Sequence, residues 1–431
     1  MAVRRVTERS ALERVHAALQ GIEVWQERTN AFAQVFEDEA RAAAADVGTD
    51  GRLAGMPIAV KDLFDVRGHP TTGCCAAFPS EPAERDAALV TRLRDEGAIV
   101  IGKTNQHELA AGVTNLESSC GPTRNPWDLL RITGGSSGGS AVAVATGIVP
   151  IGLVSDTGGS ARIPAAFCGT WGLKPTQGRL STEGMMPLAP EMDCPGVLAG
   201  SVDDLRLGWE VLADPPIDRA APSVVGLLRG GRWERSALEI KAAIAKAAGR
   251  FRDTGVEVRD VDGSALDDVH RVWNRLAWPP FAERYGGLTG NPSLGTGAAS
   301  LLVWGSAHRD ELPDARARAE RILRWFADAF ERVDLFLAAT TPYVAPSIDA
   351  REVDLGDGST MDVHRGGPSW HTTAANVAGL PALSVPFATS SEGLPIGVQL
   401  IAPPNREDVL FAAAEVLRPA VELPTPSDPR R

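Results

Sequence analysis

Residues 133–170 hold two glycine- and serine-rich runs, Gly134-Gly135-Ser136-Ser137-Gly138-Gly139-Ser140 and Asp156-Thr157-Gly158-Gly159-Ser160, on either side of a stretch of small residues. Glycine tolerates positive φ and lets successive N–H groups converge on a small volume. The result is an anion-binding concavity, suited to a phosphate or to a developing oxyanion. A flexible Gly/Ser linker is the alternative, but a linker is not threaded through apolar segments such as 141–145 and 148–153. Oxyanion chemistry needs a nucleophile beside the donors and a base that takes its proton. Both runs supply serines. Lys61, set between Gly55-Met56-Pro57-Ile58-Ala59-Val60 and Asp62-Leu63-Phe64, supplies a base if burial lowers its pKa toward neutrality. The competing reading of Lys61 is a salt bridge to Asp62 or Asp65.

These segments resemble, in order and spacing, the motifs of the amidase-signature family. The resemblance continues through Gly169-Thr170-Trp171-Gly172-Leu173-Lys174-Pro175-Thr176, residues 193–202, Ala378-Gly379-Leu380-Pro381-Ala382 and Gly393-Leu394-Pro395-Ile396-Gly397-Val398-Gln399, so it spans residues near 25 to 410. In that family a lysine precedes a Gly-Gly-Ser-Ser-Gly-Gly run whose first serine lies in a cis peptide. A nucleophilic serine follows twenty-four positions later, and Ser136 and Ser160 keep that interval. The resemblance therefore implies Ser160 as nucleophile, Ser136 as proton relay and Lys61 as base, with the backbone N–H groups of Thr157, Gly158, Gly159 and Ser160 holding the oxyanion. It implies no cofactor and no metal, and a small-molecule substrate: a linear carboxamide, with ureas and esters within range. It also implies an α/β fold, an α/β/α sandwich around a large central mixed β-sheet. Two further readings stand beside it. One is the glutamine-hydrolysing subunit of a transfer-RNA-dependent amidotransferase, a role for which the chain looks short. The other is a catalytically silent binding protein, which intact Lys61, Ser136 and Ser160 disfavour. The chain departs from the family at Val154, where glycine is usual, at Ala161, where a larger aliphatic residue is common and alanine leaves room beside the nucleophile, and at Gly200, in place of arginine.

The elements that would position these groups alternate between helix and strand. Over residues 10–45 the apolar residues Leu12, Val15, Leu19, then Phe32, Val35 and Phe36, recur at helical spacing and predict a helical leader over 1–48. A strand carrying Lys61 is expected at 55–65, a helix at 84–96 and a strand at 98–101. Helices at 236–252, 313–331 and 406–417 alternate with strands at 256–261, 333–338, 382–387 and 397–401, the grammar of a layered α/β fold. Loose stretches at 213–223 and 286–297 read as insertions or long crossovers, giving a single domain with a catalytic core over 49–212 and a C-terminal half over 222–431. The Pro-rich end, 422–431, is expected to fray.

The net charge of −12 disfavours binding to nucleic acid. No apolar run is long enough to span a bilayer, since 141–153 is broken by Gly147 and Pro150, and residues 1–10 lack the apolar core of a signal peptide. Five cysteines without paired spacing suggest neither a disulfide framework nor a zinc site, which fits reduced thiols in a cytoplasm; adjacent Cys74 and Cys75 read as packing residues. Residues 97–104 spell a phosphate-loop pattern, but the apolar, β-prone Ala98-Ile99-Val100-Ile101 reads as a buried strand with Lys103 at its end. His107, His364 and His371 lack ligand spacing and read as solvated or hydrogen-bonded residues. Trp273, Trp278, Trp304 and Trp325 are grouped in the C-terminal half, where core packing explains most of them and a pocket for a bulky acyl group is the sharper reading. Homodimerisation is common among similar proteins, though no residue here shows it.

Overall fold

The computed structural model describes residues 10–48, 50–78, 81–213, 221–418 and 426. The first nine residues of the expected leader, most of the loose stretch at 213–223 and nearly all of the 422–431 end lie outside the described residues. Helix α1 (Ala11–Thr29) starts at Ser10, whose hydroxyl accepts the Glu13 N–H while the Glu13 carboxylate accepts the Ser10 N–H, and it stops at Asn30, which turns left-handed at φ 54°. The leader then departs from the helical expectation. Phe32–Val35 is an edge strand, β1, and helix α2 (Glu37–Asp46) follows it. Phe32, Val35 and Phe36 do have helical spacing, but the left-handed break at Asn30 frees the chain, and Phe32, Gln34 and Val35 pair antiparallel with Thr104, Lys103 and Gly102.

Strand β2 (Pro57–Lys61) runs parallel to β3 (Ile99–Thr104), and α3 (Ala88–Asp95) connects them. Helix α4 (Gly138–Ala145) leads into β4 (Ile151–Ser155), parallel to β2 on its other side. Then come α5 (Arg162–Cys168), β5 (Trp171–Lys174), β6 (Pro195–Ala199) and α6 (Val202–Leu212). The later part opens with β7 (Val224–Arg229), α7 (Leu238–Asp253) and β8 (Glu257–Asp262). Three helices follow, α8 (Val269–Tyr285), α9 (Thr296–Ala307) and α10 (Leu312–Phe330), then β9 (Leu335–Ala339) and a small two-stranded sheet of β10 (Glu352–Asp354) and β11 (Thr360–Asp362). Helix α11 (Thr373–Val377), β12 (Ala382–Thr389), β13 (Pro395–Ile401) and α12 (Glu407–Leu417) close the fold.

Among the described residues eleven strands form one mixed sheet in the order β1-β3-β2-β4-β6-β5-β12-β13-β9-β7-β8. Both faces are covered, and the period of two along each strand shows it. Ile58 and Val60 pack on one face with α3 and α6, whereas Ala59 packs on the other with α1, α2 and α4. The same alternation separates Val100 from Ile99 and Ile101, and Val197 from Leu198. This is the α/β/α arrangement that the resemblance implies. Residues 99–104, the phosphate-loop look-alike, are buried along their whole length, and Lys103 pairs with Asp62 at 2.8 Å. All five cysteines are free, with Cys74 and Cys75 buried. Among the described residues no helix is long and apolar enough to cross a membrane.

Candidate active site

The C-terminal ends of the neighbouring parallel strands β2 and β4 bring together the groups that the sequence singled out. Lys61 is the last residue of β2 and is fully buried, on the same side of the strand as Ala59. Its Nζ donates to Ser136 Oγ at 2.7 Å and to Ser155 Oγ, at the end of β4, at 2.9 Å. The alternative pairing with Asp62 does not occur, because that carboxylate is taken by Lys103, the Thr72 hydroxyl at 2.6 Å and the Cys74 N–H at 3.0 Å. Burial lowers the Lys61 ammonium to about 7, against the pull of Asp156, Cys74 and Asp193.

Ser136 stands just before α4, and its peptide bond with Gly135 is cis. The run around it is a packed helix entry, not a linker: the Ser136 carbonyl accepts the His107 N–H at 3.0 Å, Gly138 N–H donates to Asn115 Oδ1 and Gly139 N–H to the Asn105 carbonyl. His107 is itself held neutral, lowered to about 3 by burial, then by His364 and Lys61.

The loop from β4 to α5 is organised by Asp156. Its carboxylate accepts the N–H of Gly159 at 2.9 Å and of Ala161 at 3.2 Å, both arms of the Arg162 guanidinium at 2.8 and 2.9 Å, and the Asn376 amide at 2.8 Å. Burial alone would push this carboxyl up, but the charge and hydrogen bonds of Arg162 and the bond from Asn376 hold it well below the usual carboxylate range. Arg162 also reaches the Thr372 carbonyl at 3.1 Å, Asn376 Oδ1 at 2.7 Å and Gln399 Oε1. One expected oxyanion donor is thereby lost: the Gly159 N–H already points at Asp156. Among the described residues the N–H groups of Thr157, Gly158 and Ser160 have no protein acceptor. The Thr157 hydroxyl donates to Asp193 at 2.7 Å, and Asp193 in turn caps Leu188 and Ala189.

Ser160 borders a cavity of about 620 Å³, within the usual range for a small-molecule site. No hydrogen bond joins its hydroxyl to that of Ser136 in this structure. The near wall includes His107, Thr157 and Gly158; α8 and α9 supply Trp273, Trp278 and Trp304 from the far side. His364 is also in this wall, whereas His371 is buried elsewhere against the Ser236 hydroxyl. Trp325 lies away from the cavity wall, half-buried against the core on Phe326 and Phe336. Ala161 does not widen the cavity either: it is fully buried in the cluster between the sheet and α1, α4 and α5, so the missing side-chain bulk lies on the sheet side.

Sequence reasoning missed Ser155, Arg162, Asn376, His270 and the role of Asp156. Only Asp156 and Arg162 left a trace, as a charge pair flanking the nucleophile motif. Ser155 ends an apolar strand, and Asn376 lies more than two hundred positions from the loop it supports. His270 lines the cavity, lowered to about 4 by burial and then by Arg232.

A family model described as Amidase matches residues 13–411. The chain is 33% identical to a Glutamyl-tRNA(Gln) amidotransferase subunit of Rhodopirellula baltica, with 98% of this chain and 95% of that protein covered. It is 36% identical to the AtzE subunit of the 1-carboxybiuret hydrolase of Pseudomonas sp. (strain ADP), with 85% and 84% covered. Among solved structures, a protein described as amidase superposes with a TM-score of 0.90 at 33% identity, over 96% of each chain. The match to the Rhodopirellula baltica subunit extends over 484 positions, more than the 431 residues of this chain, so the chain is the shorter of the two although both are covered almost from end to end.

Proposed function

The chain belongs to the Amidase family, and from that premise we propose that it hydrolyses the C–N bond of a small linear carboxamide, with ureas and esters within range, through an acyl-enzyme on Ser160. The observation that carries this reading is the buried hydrogen bond from Lys61 to Ser136, made by a lysine lowered to about 7. Near neutral pH such a lysine is about half neutral, and the neutral amine can take a proton. As Ser160 Oγ attacks the carbonyl carbon, its proton passes to Ser136 and the Ser136 proton passes to Lys61. The carbonyl π electrons move onto oxygen, where the N–H groups of Thr157, Gly158 and Ser160 receive the charge. One such donor is commonly worth ~3 kcal/mol in the transition state. Collapse breaks the C–N bond, and the proton returns along the same path to the leaving amine. Water, deprotonated by that path, then releases the acid. Intact-mass spectrometry after fluorophosphonate treatment tests the nucleophile: a single adduct on the wild-type chain, absent from Ser160→Ala, is expected. No adduct, and no ammonia released from an amide panel, would leave a partner-dependent subunit or a silent binding protein.

Relatives described as Glutamyl-tRNA(Gln) amidotransferase subunits favour a second reading, in which the amide is glutamine and the ammonia goes to a partner chain. Ammonia release from glutamine, stimulated by a copurifying partner, would select it over the first.

A further inference from the structure

The three free oxyanion donors lie in the first half of the chain, but what holds two of the loop's carbonyls comes from the second. Trp273, on α8, donates its Nε1–H to the Thr157 carbonyl at 2.8 Å. Its indole presses so closely on the next residue that a Cβ added at Gly158 would stand 2.6 Å from the ring, which only glycine allows. A peptide unit is planar, and in the trans form its C=O and N–H point opposite ways. Fixing the Thr157 carbonyl therefore fixes the direction of the Gly158 N–H. Thr372 acts one peptide further along: its hydroxyl donates to the Gly158 carbonyl at 2.6 Å, which sets the Gly159 N–H on Asp156 at 2.9 Å. Trp273 is in turn braced edge-on by Trp278, with ring centres 5.3 Å apart and planes at 89°. The same indole belongs to the cavity wall.

We propose that Trp273 and Thr372 are positioning residues for the hydrolysis: Trp273 fixes the peptide plane that carries the Gly158 N–H, and Thr372 fixes the next plane, which anchors Gly159 on Asp156, so that the Gly158 N–H faces the developing oxyanion. Neither takes or gives a proton to substrate. Without the indole N–H the Thr157 carbonyl loses its partner and the peptide is free to tilt, so one oxyanion donor is misaimed. Because charge on that oxygen builds only as the carbonyl is attacked, the loss falls on the chemical step and spares substrate binding.

The inference rests on Ser160 being the nucleophile, and the experiment separates the two. Trp273→Phe keeps an aromatic wall and removes only the N–H. Thr372→Val removes the hydroxyl, and Thr372→Ser restores it. The second-order rate of fluorophosphonate adduct formation, followed by intact mass, is measured for each, with kcat and KM on the best amide of a panel and Tm as a control. Trp273→Phe and Thr372→Val are expected to label and turn over roughly ten- to hundred-fold more slowly at KM within about twofold, and Thr372→Ser to recover most of the rate. Wild-type labelling rates in both Trp273→Phe and Thr372→Val would overturn the proposal, as would a loss confined to KM. Should Trp273→Phe fail to fold, equal rates in Thr372→Val and Thr372→Ser would overturn it alone. A wild-type chain that takes no label would instead defeat the Ser160 reading.

Discussion

Lys61 has no exposed surface, and burial has brought its ammonium to about 7. Below that value it holds its proton and cannot accept one from Ser136, so kcat/KM is expected to rise roughly tenfold per pH unit in acid and to level off above about pH 7. A profile flat from about pH 5 to 7 would remove Lys61 as the base. Stability should move the same way. Between about 7 and the ordinary value of 10.5 the unfolded chain binds a proton that the folded chain does not, so this residue makes folding more favourable as pH rises across that window. Chemical denaturation at a series of pH values, compared with Lys61→Met, checks it: the variant should lose that slope. Ser136→Ala should stay folded and lose most turnover; full activity would end the relay role. Asp156→Asn would strand the buried Arg162 charge, a loss of about 3–5 kcal/mol, read as a fall in denaturant midpoint together with lost labelling. The lysine and both serines were legible because their spacing is a covalent property of the chain. The Gly159 N–H was not, since its direction depends on where the Asp156 side chain turns.

Helices α8 and α9 form the aromatic wall, and their contact leaves no room at Gly305, where an added Cβ would collide with the Trp278 carbonyl. The start of α9 is tied down separately: Glu108 and Glu117 accept the N–H groups of Gly295 and Gly297 at 2.9 and 2.8 Å, carboxylates at the positive end of a helix. Gly305→Ala should therefore tilt α9 about a fixed start, cost about 1–3 kcal/mol and raise KM more than it lowers kcat, because Trp304 moves while the nucleophile loop does not. Equal effects on both constants would contradict this. The helices and strands that the sequence marked at 55–101, 236–261, 313–338 and 382–417 are present with ends displaced by a few residues, whereas α8 and α9 themselves were not marked. Residues 32–35 could not. Their apolar spacing suits a helix, and what decides the matter is an open sheet edge at Ile99–Thr104, far away in sequence. The tryptophans show the same limit: the sequence groups Trp273, Trp278, Trp304 and Trp325 without saying which of them face a cavity, and Trp325 instead packs half-buried on Phe326 and Phe336.

Across the whole molecule the sheet interleaves early and late sequence, with β5 beside β12 and the loop before α5 braced from residues 372, 376 and 399. A chain truncated after residue 212 carries Lys61, Ser136 and Ser160, yet it is expected to label with fluorophosphonate no faster than the full-length Ser160→Ala protein. Labelling at the full-length rate would show the first half to be self-sufficient. The order in which a ribosome delivers these parts has its own effect. Ser160 leaves the exit tunnel long before Gln399, and until then Arg162 has Asp156 but not its late partners at residues 372, 376 and 399, and the loop that Trp273 grips is not fully braced. On the proposed mechanism Ser160 is armed last, so a chain still being translated is expected to do no chemistry on the amides around it.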